Sequence, residues 1–315
     1  MSRRIAIWSD HTLGVGGGEY YTWALATFYP QALADRIDEY DAILTISEYS
    51  AEGVCRRWGR DNVALAPPPV PRGRFVAGPK EPVILSVGRF FEADAGNAKK
   101  HALMVHAFGR LLEGGLEGWR LVLAGASDPT QVSYVERIRA LAVGAPIEVR
   151  TDLSHTALAA LYAQASIYWH AAGLTPEGLT EQPSAAEHFG ISVVEAMAAG
   201  GGPVVPDIGG PAEIVQHGRN GLTCRSVDEL VAHTRALADD GGERQVLAGG
   251  AEARARDFDR ETFDTRVREL VDALFAEPAT QGDYWLRQGR VRTAEARRPV
   301  YLQLARCAPE ARLSA

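Results

Sequence analysis

Cysteine is scarce. Cys55, Cys224 and Cys307 lie too far apart for a disulfide framework or a zinc site, so a reducing cytoplasm is the simplest home. Long apolar runs are absent as well. None approaches the roughly 20 residues needed to cross a bilayer, and the opening Met1-Ser-Arg-Arg-Ile5 lacks the length and cleavage pattern of a signal peptide. Positive charge is in deficit. With 33 Lys and Arg against 40 Asp and Glu, the net charge is -7, which argues against broad nucleic-acid binding. Apolar residues, in contrast, are plentiful. They make up 46% of 315 residues, enough for a real core and for two domains of ordinary size.

Short apolar runs bounded by turn residues alternate with stretches of helical period. Ile5-Ala-Ile-Trp8 reads as a strand, followed by a glycine turn, Gly14-Val-Gly16-Gly17-Gly18, and a helix from Tyr20 to about Thr27. Ala42–Ile46 and Val63–Ala66 are further strands, with a helix between them that Ser47 can cap. The stiff Pro67-Pro68-Pro69 marks a domain boundary. A second cycle begins at Val83–Val87. Strands follow at 121–124, 147–149, 166–169 and 203–205, and helices at 101–112, 134–143, 156–164, from 191 onward and at 212–215. Residues 228–238 and 259–275 read as closing helices. This alternation predicts an α/β protein whose parallel sheets bind ligands at the carboxyl ends of their strands. The domains are expected at 1–75 and 76–275, with a tail at 276–315.

The most informative string is Glu187-His-Phe-Gly190-Ile-Ser-Val-Val-Glu195-Ala-Met-Ala-Ala-Gly200. At Gly190 the backbone can approach a ligand closely. The amides of Ile191 and Ser192 then open a helix, and an open helix N-terminus attracts phosphate. Glu187 precedes that helix and Glu195 lies about one turn into it. Acids beside a diphosphate repel it unless they accept hydrogen bonds from hydroxyl groups. A sugar nucleotide carries hydroxyls on both sides of its diphosphate. Tyr168 and Trp169 read as core, and His170 reads by default as a hydrogen-bonded structural histidine, with a functional role left open. His188 either touches the sugar or braces the loop.

Four stretches in order resemble the retaining glycosyltransferases of the GT-B architecture, built from two Rossmann-like domains, and within them glycosyltransferase family 4 (group 1). They are Gly88-Arg89-Phe90 followed by Lys99-Lys100; Ser166-Ile-Tyr-Trp-His170; Glu187 to Glu195; and Pro203-Val-Val with Gly209-Gly210-Pro-Ala-Glu213 and Gly218-Arg-Asn220-Gly221. The resemblance covers residues 83 to about 240. It implies a complete C-terminal donor-binding domain and, since only about 80 residues precede its first strand, an abbreviated N-terminal domain. It also implies that Arg89 and Lys99, or Lys100 in its place, neutralise the leaving diphosphate. Glu187 would hold hydroxyls of the transferred sugar and Glu195 the ribose. Backbone near Leu153 would border the base, and Gly16 and Gly17 would approach the diphosphate from the other domain. No Asp-x-Asp string is read as a metal motif, so neither metal nor other cofactor is expected.

The expected activity is transfer of a hexose, with retention, from a nucleoside-diphosphate sugar to an acceptor the sequence does not reveal. GDP-mannose is one guess for the donor. A nucleotide-sugar-binding protein that is inactive, or that needs a partner chain to complete the acceptor site, stands as the alternative. An oxidoreductase is disfavoured because the first glycine turn lacks the G-x-G-x-x-G spacing. Residues 276–315 hold seven Arg against four acids. A solvated tail is favoured there over contact with an anionic membrane surface or a phosphorylated acceptor. Assembly into a homo-oligomer stays open.

Overall fold

The structure is a computed structural model and describes residues 5–7, 40–92 and 98–275. Gly16 and Gly17, the helix expected near Tyr20 and the arginine-rich tail lie outside the described residues.

The chain divides into two compact units. One holds the residues up to Pro68 together with those from Glu261, and the other is Pro69–Arg260. The expected boundaries were 75/76 and 275/276, so the closing helix falls with the N-terminal segment instead of with the second unit. In the first unit β1 (Ile5–Ile7), β2 (Ala42–Thr45) and β3 (Val63–Leu65) form a parallel sheet in that order. Helix α1 (Glu48–Trp58) joins β2 to β3. The Ser47 hydroxyl accepts from the Ser50 amide at its start, and Gly59, at φ 63°, closes it by donating to the Cys55 carbonyl.

The second unit has α2 (His101–Glu113), α3 (Val132–Ala142), α4 (His155–Gln164), α5 (Ile191–Ala198), α6 (Gly209–Ile214), α7 (Val227–Asp239) and α8 (Gly241–Ala255). Its strands are β4 (Glu81–Val87), β5 (Arg120–Gly125), β6 (Ile147–Thr151), β7 (Ala165–Trp169), a hairpin of β8 (Leu174–Thr175) and β9 (Gly178–Leu179), β10 (Gly202–Pro206) and β11 (Leu222–Cys224). The closing helix α9 (Arg260–Phe275) sets Leu270 against Ala42, Leu44 and Ala64 of the first unit.

Six strands of the second unit form one parallel sheet in the order β6-β5-β4-β7-β10-β11. The chain starts in the middle at β4, runs outward to β6, then returns to β7 on the other side of β4. Connections therefore leave β4 and β7 in opposite directions, and a crevice opens at their carboxyl ends. β7 and β10 are buried along their whole length, which is why they read as unbroken apolar runs. Ile84, Leu121, Leu123, Ile167 and Val204 pack with Met104, Phe108, Leu230 and Leu237 from the helices.

Besides the β8–β9 hairpin, two elements differ from the sequence expectation. β11 is a short edge strand that patterning passes over. Helix α8 lies where no helix is expected, and its Gly241, Gly242, Gly249 and Gly250 have low helix propensity. A Cβ on Gly250 would stand 2.1 Å from the Arg219 carbonyl oxygen, so glycine lets this helix lie against the 219–220 turn. Leu247, Ala251 and Ala255, four apart, form its buried face.

Trp169 is fully buried at the end of β7. Its indole N–H donates to Thr234 Oγ1 of α7 at 2.8 Å, and that hydroxyl donates to the Leu230 carbonyl at 2.7 Å. Thr234→Val keeps the shape but strands the indole donor. It should lower unfolding free energy by about 1–3 kcal/mol, read as a lower urea midpoint at unchanged slope, whereas Thr234→Ser should stay near wild type. An unchanged midpoint for the valine variant would remove this account of how β7 is tied to α7.

Candidate functional site

The crevice is lined first by the turn after β4. The Gly88 amide donates to the Ala124 carbonyl at 2.9 Å and the Phe90 amide to the Ala126 carbonyl at 2.9 Å, so the turn is stitched to the end of β5. A Cβ on Gly125 would lie 1.9 Å from the Gly88 oxygen, and one on Gly88 would lie 2.6 Å from Lys99 Cγ. Both glycines are therefore required by close approach. The second lets the Lys99 stem cross the backbone. Phe90 stacks on His101 at 4.3 Å, fastening the turn to the start of α2. Lys100 is the N-cap of α2 in a left-handed conformation, φ 60°. Lys99, and not Lys100, is the lysine that meets an acid. Its ammonium pairs with Oε2 of Glu187, whose side chain is 5% exposed.

The loop that carries Glu187 is held by the two glycines that open α6. The Gly210 amide donates to the Glu187 carbonyl at 2.8 Å. A Cβ on Gly209 would stand 2.2 Å from that carbonyl oxygen, and one on Gly210 2.4 Å from Phe189 Cα. His188 is buried, with Nε2 3.2 Å from the Pro183 carbonyl oxygen, and so braces the loop.

His170 follows β7 directly. It is 3% exposed, and its Nε2 lies 3.7 Å from Glu187 Oε2, too far for a hydrogen bond. Among the described residues no group bonds to that nitrogen, so Nε2 does not fit the default of a hydrogen-bonded structural histidine. Leaving such a group unmet costs about 1–3 kcal/mol. Burial above all, with Lys99 adding to it against the opposing pull of Glu187, lowers its pKa to about 4. The ring is neutral at pH 7.

Gly190, at φ 102°, opens the eight-residue helix α5 and leaves the Ile191 and Ser192 amides at its N-terminus. Glu195 lies one turn further in. Its Oε2 accepts from the Tyr162 hydroxyl at 2.7 Å. Burial raises its pKa to about 7, with the Tyr162 bond pulling the other way. The Tyr168 phenol feels the charge of both carboxylates, bonds the Ser192 side chain and donates to the Val87 carbonyl at 3.3 Å. Burial pushes both phenols upward in pKa, so they remain protonated donors. Tyr162, on a different helix 33 positions before Glu195, carries no sequence signal for this contact.

The remaining expected residues sit at the same carboxyl edge with looser ties. Arg89 is exposed, with its guanidinium 5.5 Å over the Phe91 ring. Leu153 is half-buried beyond β6, behind Asp152, whose carboxylate accepts from the Ser127 amide at 3.0 Å. One Asp-x-Asp string does occur, Asp257-Phe258-Asp259, against the expectation of none. Asp257 pairs with Arg254 at 2.7 Å and Asp259 with Arg72 at 3.4 Å, so both acids serve ion pairs around the buried Phe258.

Known proteins resemble parts of this chain. A glycogen synthase of Mycobacterium tuberculosis is 38% identical over 91 residues, 28% of this chain and 22% of that protein. A GDP-Man:Man(3)GlcNAc(2)-PP-Dol alpha-1,2-mannosyltransferase of Dictyostelium discoideum is 28% identical over 200 residues, 58% of this chain and 36% of that one. The matches thus span little more than a third of these relatives at most. HepE of Anabaena, solved in complex with UDP and glucose, superposes with a TM-score of 0.63 over 77% of this chain and 66% of its own, at 18% identity. That likeness shows the fold, two Rossmann-like units of the GT-B class. The family model for glycosyl transferases group 1 matches residues 72–254, more than half of the chain and the whole six-stranded sheet, and the protein belongs to that family.

Proposed function

We propose that this chain transfers a hexose from a nucleoside-diphosphate sugar to an acceptor with retention, as a member of glycosyltransferase family 4, and uses no metal. The observation that carries the reading is the part-buried Lys99–Glu187 pair beside the opened N-terminus of α5, with Glu195 one turn away. The diphosphate would sit on the Ile191 and Ser192 amides. An ammonium has three donors, so Lys99 can hold Glu187 and a phosphate oxygen together. Arg89 would swing from Phe91 onto the same phosphates. Those cations stabilise the departing diphosphate in the role a metal takes elsewhere. Glu187 would accept from sugar hydroxyls and Glu195 from the ribose. Attack would come on the face the leaving group departs from, and the diphosphate would take the acceptor's proton. The names of the relatives support a hexose donor: one is a glycogen synthase, and another carries GDP-Man in its name.

Calorimetry with UDP, UDP-glucose, GDP and GDP-mannose tests the donor class. One pair should bind, and EDTA should leave both binding and transfer unchanged. A strict requirement for manganese would defeat the metal-free clamp.

Lys99→Met should lower kcat by about 100- to 1,000-fold. It should also destabilise the fold by about 3–5 kcal/mol, because the buried Glu187 charge loses its partner. Adding Glu187→Leu should restore stability without restoring transfer. If the double variant is no more stable than the single one, the pair does not carry that charge balance.

Glu195 makes stability and donor affinity move in opposite directions with pH. Between pH 4.5 and about 7 the folded protein holds a proton that the unfolded chain has released, so this group's contribution to stability falls as pH rises. The ribose needs the ionised form, so affinity for a nucleotide sugar should climb with pH up to about 7, by at most about tenfold per unit. A nucleotide sugar is the right probe, since a terminal phosphate has its own ionisation near pH 6. Glu195→Gln should flatten the affinity profile, and an unaltered slope would detach Glu195 from the ribose.

A further inference from the structure

We infer that His170 is a sugar-binding residue, donating from Nε2 to a hydroxyl of the transferred hexose that Glu187 holds from the other side. The inference rests on the donor reading above and assigns a further group to that site.

The geometry asks for a bridging oxygen. The His170 amide donates to the Val204 carbonyl at 3.1 Å, so β10 fixes the backbone where β7 ends. Ala171 and Ala172, both buried, continue the chain and present no polar side chain to the ring. Among the described residues Nε2 has no hydrogen-bond partner, and it stands 3.7 Å from Glu187 Oε2. An oxygen about 2.8 Å from both atoms fits that gap. It must accept from the imidazole and donate to the carboxylate. A hydroxyl does both. A carbonyl or phosphate oxygen cannot donate, and an ammonium cannot accept. A carboxylate opposite the ring favours the tautomer with its proton on Nε2, because a lone pair there would face negative charge. Lys99 holds the same carboxylate oxygen, so cation, acid and imidazole converge on one point. A hydroxyl there is read by acceptor and donor together, and a sugar lacking it would leave both groups unmet.

The test separates the sugar from the nucleotide. His170→Phe and His170→Leu are assayed by calorimetry in the full chain with UDP, UDP-glucose, GDP and GDP-mannose. The expected result is wild-type affinity for the bare nucleoside diphosphate and about tenfold or greater loss for its sugar. His170→Asn, which keeps a side-chain donor, should recover part of that loss. Equal weakening of nucleotide and nucleotide sugar would make His170 a shaping residue and overturn the inference, as would unchanged affinity for the sugar. If the unaltered protein binds none of the four probes, the donor reading fails and this inference falls with it. If it binds them and His170 variants do not discriminate, this inference alone fails.

Discussion

A carboxylate shielded from water needs a positive partner close by, and the site is organised around that need. Glu187 finds its cation in Lys99, a residue 88 positions away in sequence. Neither side chain could reach the other without close backbone approach. Gly88 clears the path of the Lys99 stem, Gly125 allows β5 to close on the turn after β4, and Gly209 and Gly210 let the Glu187 loop lie on the start of α6. These four glycines are steric permissions for one ion pair. A buried pair of this kind adds little net stability over an apolar substitute. Its presence is better accounted for by what the exposed remainder of the crevice can bind.

The surroundings give the site's titratable groups different properties. Glu187 has a lysine. Glu195 has a phenol and buried surroundings, and its pKa climbs to about 7. His170, beside an ammonium and out of water, is held neutral. Such divergence among neighbours is how one pocket can offer an anion, a titrating acid and an uncharged donor at the same pH. All of it lies where the strand order reverses between β4 and β7, the place a doubly wound sheet leaves open.

Much of this was legible in the residues. The apolar runs marked the buried strands because both faces of a parallel sheet are covered. The Glu187 to Glu195 string announced a loop, an opened helix and an acid one turn in, and the structure has each of them. The Asp257-Phe258-Asp259 string shows the opposite case. It has the form of a metal motif, and its acids are engaged by Arg254 and Arg72. Helix α8 was hidden by glycines whose purpose is a contact with another turn. The partners of Glu195 and Glu187 were hidden too, since Tyr162 and Lys99 come from elements distant in sequence.

The order of residues alone determined the alternation of strands and helices, the family resemblance and which short strings could hold a phosphate. Those are local properties, set by backbone freedom, apolar period and spacing along a few turns. Tertiary structure decided which lysine meets Glu187, that a tyrosine on another helix bonds Glu195, and that His170 points an unmet nitrogen at the same carboxylate. Those facts depend on crossovers that bring chain segments tens of residues apart to one sheet edge, and on the exclusion of water there, which no local pattern encodes.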